Sequence, residues 1–123
     1  MIAGSDHVEL RVRDLDQALS FYKGCLGLVD HTPESRTHVL GSQAGAFLVL
    51  VAGRSNAADR AGGASDHLAF SVADVEKAKG RLREDGVEIV SERKDSDGQG
   101  KSYYFRDPDG NVLEIYGPVA QPS

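Results

Sequence analysis

The sequence predicts an α+β protein of two tandem βαβββ modules, whose strands form an open, cup-shaped mixed β-sheet with the helices on its outer face. Two observations predict this fold. Residues 6–18 align with residues 66–78 at an offset of sixty, and five of these thirteen positions are identical. Within each half, the spacing between apolar residues changes from two residues, typical of a strand, to about three and a half, typical of a helix, and then back to two. A chain of 123 residues with 40% hydrophobic and 27% charged residues fits one domain over residues 1–123.

Module one is predicted over residues 6–53. Residues 6–13 alternate as a strand, and Asp14 with Gln17 three residues later is typical of a capped helix start. The helix has one apolar side, formed by Leu15, Ala18, Leu19 and Tyr22, and is predicted to end at the glycines at 24 and 27. Three short strands are predicted near 28–32, 36–41 and 45–52.

Module two is predicted over residues 66–117, after a Gly-, Ala- and Ser-rich linker at 54–65. A strand at 66–72 precedes a helix that is capped by Asp74 and ended by Gly86. Strands near 87–93, 101–106 and 111–116 complete the repeat. The Asp107–Gly110 segment predicts a turn between the last two, because proline fixes one backbone dihedral and glycine permits a positive one.

Charge and hydropathy exclude several classes of partner. The chain has 14 basic and 19 acidic residues, a net charge of −5, and no basic run that would neutralise a nucleic-acid backbone. The longest apolar stretch, Ala44 to Ala52, is about half of what a bilayer-spanning helix needs. Together with a single cysteine, Cys25, these features predict a cytoplasmic protein without membrane or nucleic-acid partners.

The alternation of side chains along the strands predicts a shared polar face. His7 and His67 open equivalent strands, and Glu114 lies on the last strand on the face away from the helices. Two imidazoles and one carboxylate form a ligand set that suits Fe, Mn, Ni, Co or Zn as a divalent ion. A histidine or glutamate on a strand is more often a surface or core residue, so this hypothesis depends on the three sharing one face.

Several motifs resemble the vicinal oxygen chelate superfamily, which includes glyoxalase I, fosfomycin and bleomycin resistance proteins, extradiol dioxygenases and methylmalonyl-CoA epimerases. The motifs are the two Asp-His openings, Phe21-Tyr22 followed by Leu26-Gly27-Leu28, and the segment from Tyr103 to Ile115. The resemblance implies a divalent metal bound by His7, His67 and Glu114. It also implies a homodimer whose site is either within one chain or shared between two.

Departures from the subfamily patterns narrow the expected activity. Glyoxalase I has a fourth, carboxylate ligand on the strand that here reads Phe47 to Val51, where every residue is apolar, and the epimerases usually have a catalytic carboxylate there. Bleomycin-type binders typically lack the metal ligands. Ring-cleaving dioxygenases usually have four modules and a further active-site histidine. His38 is either the equivalent of that histidine or an exposed strand residue.

Fosfomycin resistance proteins are the more similar group, with three ligands and a serine and tyrosine at the positions of Ser102 and Tyr104. Their first-strand threonine is Glu9 here, and a carboxylate there would repel an anionic phosphonate. Their basic tail is also reduced to residues 118–123. These differences predict a related enzyme with another substrate.

The sequence therefore predicts a metal-dependent lyase, transferase or dioxygenase that acts on a small molecule with vicinal oxygens. Glu9 is the candidate general base, with a salt bridge to Arg11 or another arginine of the cavity as the alternative. Tyr104 is a candidate donor to the activated oxygen. The candidate substrate contacts are Arg11, Ser102 and His38. The alternative function is a bleomycin-resistance-like protein that sequesters a drug or metabolite without turnover.

Overall fold

The computed structural model describes residues 1–33, 37–53 and 67–119. The chain divides into two compact units, Met1–Ala58 and Asp59–Ser123, which correspond to modules one and two. The predicted linker at 54–65 lies outside the described residues.

Module one consists of β1 (Val8–Val12), α1 (Leu15–Leu19), a π-helix (Ser20–Cys25), β2 (Val29–Asp30), β3 (Thr37–Ser42) and β4 (Gly45–Ala52). Module two consists of β5 (Leu68–Ser71), α2 (Val75–Glu84), β6 (Ser91–Lys94), β7 (Gly100–Arg106) and β8 (Val112–Pro118). Each predicted strand is present. Strand ends lie within two residues of the predicted positions, except that β6 begins at Ser91 and not near residue 87.

The two modules have the same sheet topology. The strand orders are β1-β4-β3-β2 and β5-β8-β7-β6, and in each sheet the first pair is parallel and the other pairs are antiparallel. The prediction of an α+β fold from two βαβββ modules is confirmed.

Equivalent aspartates begin the two helical segments. The carboxylates of Asp14 and Asp74 accept hydrogen bonds from the backbone N–H groups of Gln17 and Lys77, at 3.0 and 3.1 Å. Each bond satisfies a backbone donor that the first turn of a helix leaves without an intrahelical partner.

The helical segments end differently. Gly27 and Gly86 both have positive φ and follow the helices. The segment from the capping aspartate to this glycine is one residue longer in module one, 14–27, than in module two, 74–86. The wide turn that accommodates this residue includes a hydrogen bond from the Leu26 N–H to the Phe21 carbonyl, at 3.1 Å. Gly24 lies inside the π-helix, so the prediction that it helps to end the helix was wrong.

One face of each sheet packs against helix and is buried. In module one this face includes Leu10, Val12, Leu40, Leu48 and Leu50, and in module two it includes Tyr103, Phe105, Leu113 and Ile115. The helices contribute Ala18, Tyr22, Val75 and Leu82 to these cores. Because side chains alternate along strands, the residues between these positions project from the opposite face of each sheet.

A hydrogen-bonded ion-pair cluster connects α2 to β7. The Tyr103 hydroxyl donates to Glu76 Oε1 at 2.5 Å, and the Lys79 ammonium lies 3.0 Å from Glu76 Oε2. The Lys101 ammonium lies 3.5 Å from Glu76 Oε1. The hydrogen bond from Tyr103 is the main reason that the pKa of Glu76 falls from 4.5 to about 2. Partial burial opposes this change, and the two lysines add to it.

We expect Glu76 to make the stability of the protein fall more steeply in acid. Because its pKa is lower in the folded chain, its contribution to stability is complete above about pH 4.5 and is lost as the pH falls towards 2. Urea unfolding of Glu76→Gln should therefore show a smaller loss of stability over that pH range than the wild type. Glu84→Gln, on the exposed end of the same helix, is the control. An equal loss in wild type and Glu76→Gln would contradict the prediction.

No helix among the described residues is both long enough and apolar enough to cross a bilayer.

Candidate metal centre

Glu114 is a buried carboxylate in the middle of β8. Its neighbours Leu113 and Ile115 face the helix-packed core, so Glu114 projects from the opposite face, where its residue is only 5% exposed. Tyr104 pairs directly with Glu114 across the antiparallel β7–β8 ladder, and Ser102 pairs with Tyr116 two residues further on. The register therefore brings Ser102 and Tyr104 to the same face as Glu114.

The two carboxylate oxygens of Glu114 have different partners. His67, which directly precedes β5, has its Nε2 at 2.6 Å from Glu114 Oε1. The Ser102 hydroxyl donates to Glu114 Oε2 at 2.5 Å. The Tyr104 ring meets the His67 ring edge to face, with 5.4 Å between the ring centres. These contacts fix the imidazole and the carboxylate against one another.

The donor set of this pair fits a divalent metal ion. An imidazole nitrogen and a carboxylate oxygen are ligands for all the ions that the sequence predicts. A buried carboxylate also needs a positive or hydrogen-bonding partner, which an ion would supply. Within module two, the described residues include no third His, Cys, Asp or Glu side chain grouped with His67 and Glu114. Two of the three predicted ligands are therefore in contact, and their role as ligands stays a prediction.

Arg93 is a residue of this face that sequence reasoning missed. It pairs with Ser102 across the β6–β7 ladder. A hydrogen bond to the Tyr104 hydroxyl is the main reason that the pKa of Arg93 is raised, and the carboxylates of Glu114 and Asp95 contribute. Arg93 is exposed, so its guanidinium is available to an anionic ligand.

The other predicted site residues lie in module one. His7 directly precedes β1, and its Nδ1 is 2.8 Å from Asp6 Oδ2, while about half of its side chain is exposed. Glu9 and Arg11 alternate with the buried Leu10 and Val12, so they project from the face opposite the helix and are exposed. In β4 they pair with Val49 and Val51, which makes their surroundings on the sheet apolar.

His38 lies on the other face of module one. It pairs with the buried Leu50, is 9% exposed, and its Nδ1 lies 2.6 Å from Asp30 Oδ2. Asp30 also accepts from the Thr32 N–H, at 3.0 Å. Burial favours a higher pKa for Asp30, but these hydrogen bonds and the charges of His38 and Lys23 lower it overall. The structure thus corrects the prediction that His38 is an exposed strand residue. It also places His38 on the face opposite to Glu9 and Arg11, away from the other candidate substrate contact of module one.

Comparison with known proteins assigns the family. The family model "Glyoxalase/Bleomycin resistance protein/Dioxygenase superfamily" matches residues 4–115. The chain belongs to this superfamily. This membership agrees with the resemblance to vicinal oxygen chelate proteins that the sequence motifs indicate.

Relatives within the superfamily include proteins named as transferases and as fosfomycin resistance proteins. The metallothiol transferase FosB of Shouchella clausii is 33% identical over 98% of this chain and 85% of its own length. The glutathione transferase FosA of Serratia marcescens is 30% identical, with 94% and 82% covered.

A solved relative has the same fold. The fosfomycin resistance protein FosX of Listeria monocytogenes, in its hexagonal form, aligns with a TM-score of 0.73 and 25% identity. The alignment covers 97% of this chain and 96% of that one. A variant of the same FosX was solved in complex with Mn(II) and a dihydroxypropylphosphonic acid.

Proposed function

We propose that the protein is a metal-dependent enzyme of the fosfomycin-resistance type, which adds a nucleophile to an epoxide carbon of a small anionic molecule. The observation that carries this proposal is the contact between His67 and the buried Glu114. Relatives of the chain also support the proposal, because they are named as metallothiol and glutathione transferases and as fosfomycin resistance proteins.

In this proposal His67 Nε2 and Glu114 Oε1 bind the divalent ion, and His7 is the third ligand that the family resemblance implies. The ion, when bound, would act as a Lewis acid on the substrate oxygens. The same resemblance implies a homodimer, which sedimentation velocity of the purified chain would test.

The remaining residues have roles that follow from their chemistry. Arg93 and Tyr104 supply hydrogen-bond donors for an anionic substituent of the substrate. Glu9 accepts the proton of the attacking thiol or water on a carboxylate oxygen. The nucleophile then forms a bond to carbon, the carbon–oxygen bond of the epoxide breaks, and the released oxygen takes up a proton from water, to which Glu9 later returns its own.

The substrate class is tested by incubating the Mn(II)-loaded protein with fosfomycin and following the phosphonate by ³¹P NMR. The nucleophile is either added glutathione or water alone. We expect a new phosphonate signal and a large loss of rate in Glu9→Gln, with Glu88→Gln, an exposed carboxylate of module two, as the control. Fosfomycin binding without turnover would overturn the enzyme proposal in favour of sequestration. Neither binding nor turnover by metal-loaded protein would reject fosfomycin as the substrate, and repulsion of the phosphonate by the Glu9 carboxylate would then be the explanation to test. Glu9→Thr would then be expected to gain binding.

A further inference from the structure

We propose that Ser102 positions the Glu114 carboxylate for metal binding and does not contact the substrate. This inference rests on the proposed metal site. It gives Ser102 a role different from the substrate contact that its sequence position predicts.

Burial separates Ser102 from the substrate-facing residues. Ser102 is 1% exposed, whereas Tyr104 is partly exposed and Arg93 is exposed on the same face of module two. An enclosed hydroxyl is poorly placed to meet a ligand that enters from solvent. Tyr104 and Arg93 remain as the accessible donors.

The single proton of the Ser102 hydroxyl is already used. It is donated to Glu114 Oε2 at 2.5 Å, in the short range expected for a hydroxyl that binds an ionised carboxylate. A phosphonate or another oxyanion requires a donor. Ser102 therefore cannot serve Glu114 and an anionic substrate at the same time.

The hydrogen bond also selects which carboxylate oxygen is available to a metal ion. With Oε2 bound to Ser102, the other oxygen, Oε1, is the one that faces His67 Nε2. Ser102 thus holds the carboxylate in the rotation that brings its free oxygen next to the imidazole. Partners of this kind, one contact removed from the metal, contribute about 10- to 100-fold to metal affinity.

The test is a Mn(II) titration of substrate-free protein, read by electron paramagnetic resonance or calorimetry. Ser102→Ala and Ser102→Cys should weaken Mn(II) binding by about 10- to 100-fold. Ser102→Thr, which keeps the hydroxyl, should retain most of the affinity. Ser91→Ala is the matched control, because Ser91 lies on β6 on the same face and pairs with Tyr104. Circular dichroism of each variant verifies folding, and Ser102→Cys preserves side-chain size if Ser102→Ala does not fold.

If Ser102 instead contacts the substrate, its variants should keep their Mn(II) affinity and bind substrate more weakly. In that case Ser102→Ala and Ser102→Cys would bind Mn(II) like the wild type and would raise only the KM for substrate. That result would overturn the positioning role while leaving the metal site intact. Failure of the wild type to bind Mn(II) or another divalent ion would instead reject the proposed function on which this inference rests.

Discussion

Glu114→Ala is expected to lose bound metal, with an affinity for Mn(II) or Zn(II) more than about 100-fold below that of the wild type. In the proposed site Glu114 supplies the oxygen ligand, and loss of a direct ligand should exceed the 10- to 100-fold effect of losing an outer partner. His67→Ala should lose metal to a similar extent. Elemental analysis of the purified variants measures the effect, with Glu92→Ala, an exposed carboxylate on β6, as the control.

His7→Ala belongs in the same experiment because it separates two kinds of metal centre. Loss of metal in all three variants would support the ligand set of His7, His67 and Glu114. Retention of metal in His7→Ala alone would remove His7 from the site and leave a centre that module two provides by itself. Retention in Glu114→Ala would contradict the candidate site.

Gly117→Ala should destabilise module two severely, by about 3 kcal/mol or more, or prevent folding. A Cβ atom at Gly117 would lie 2.2 Å from the Val72 carbonyl oxygen, which is a backbone atom and cannot rotate away. The two strands β5 and β8 would have to separate to admit the methyl group. Urea unfolding, followed by circular dichroism, measures the loss.

Gly53→Ala is the matched control for this substitution. Gly53 directly follows β4, whereas Gly117 lies inside β8 next to its last residue, and the Gly53 N–H donates to the Val12 carbonyl at 2.9 Å. A Cβ atom there would meet no atom within 4 Å. We expect a small effect at Gly53, so equal stability of the two variants would show that the β5–β8 contact relaxes at little cost.

Strand alternation predicted the residues of module two more successfully than those of module one. Leu113 and Ile115 are apolar and flank Glu114, so the phase of β8 and the face of Glu114 follow directly from the sequence. In β3, Val39 and Leu40 are adjacent and both apolar, so alternation does not determine the face of His38. Its partner Asp30 depends on the β2–β3 register, which the sequence does not specify.

Arg93 escaped prediction for a related reason. The strand β6 reads Ser-Glu-Arg-Lys, and every one of its residues is polar and exposed. Without an apolar side chain to identify the buried face, the direction of Arg93 follows only from the pairing of β6 with β7. The predicted start of this strand near residue 87 was wrong because Val87, Glu88 and Ile89 alternate like a strand but precede β6.

The extra residue in the π-helix has a consequence for the history of the chain. An insertion in an ordinary helix rotates everything beyond it by about 100°, because the helix has 3.6 residues per turn. A single wide turn absorbs the insertion, so the capping aspartate before it and the glycine after it keep equivalent places in both modules. The two halves therefore differ in the way expected of two copies of a duplicated ancestral unit, one of which has gained or lost a single residue. Both copies keep the shared topology.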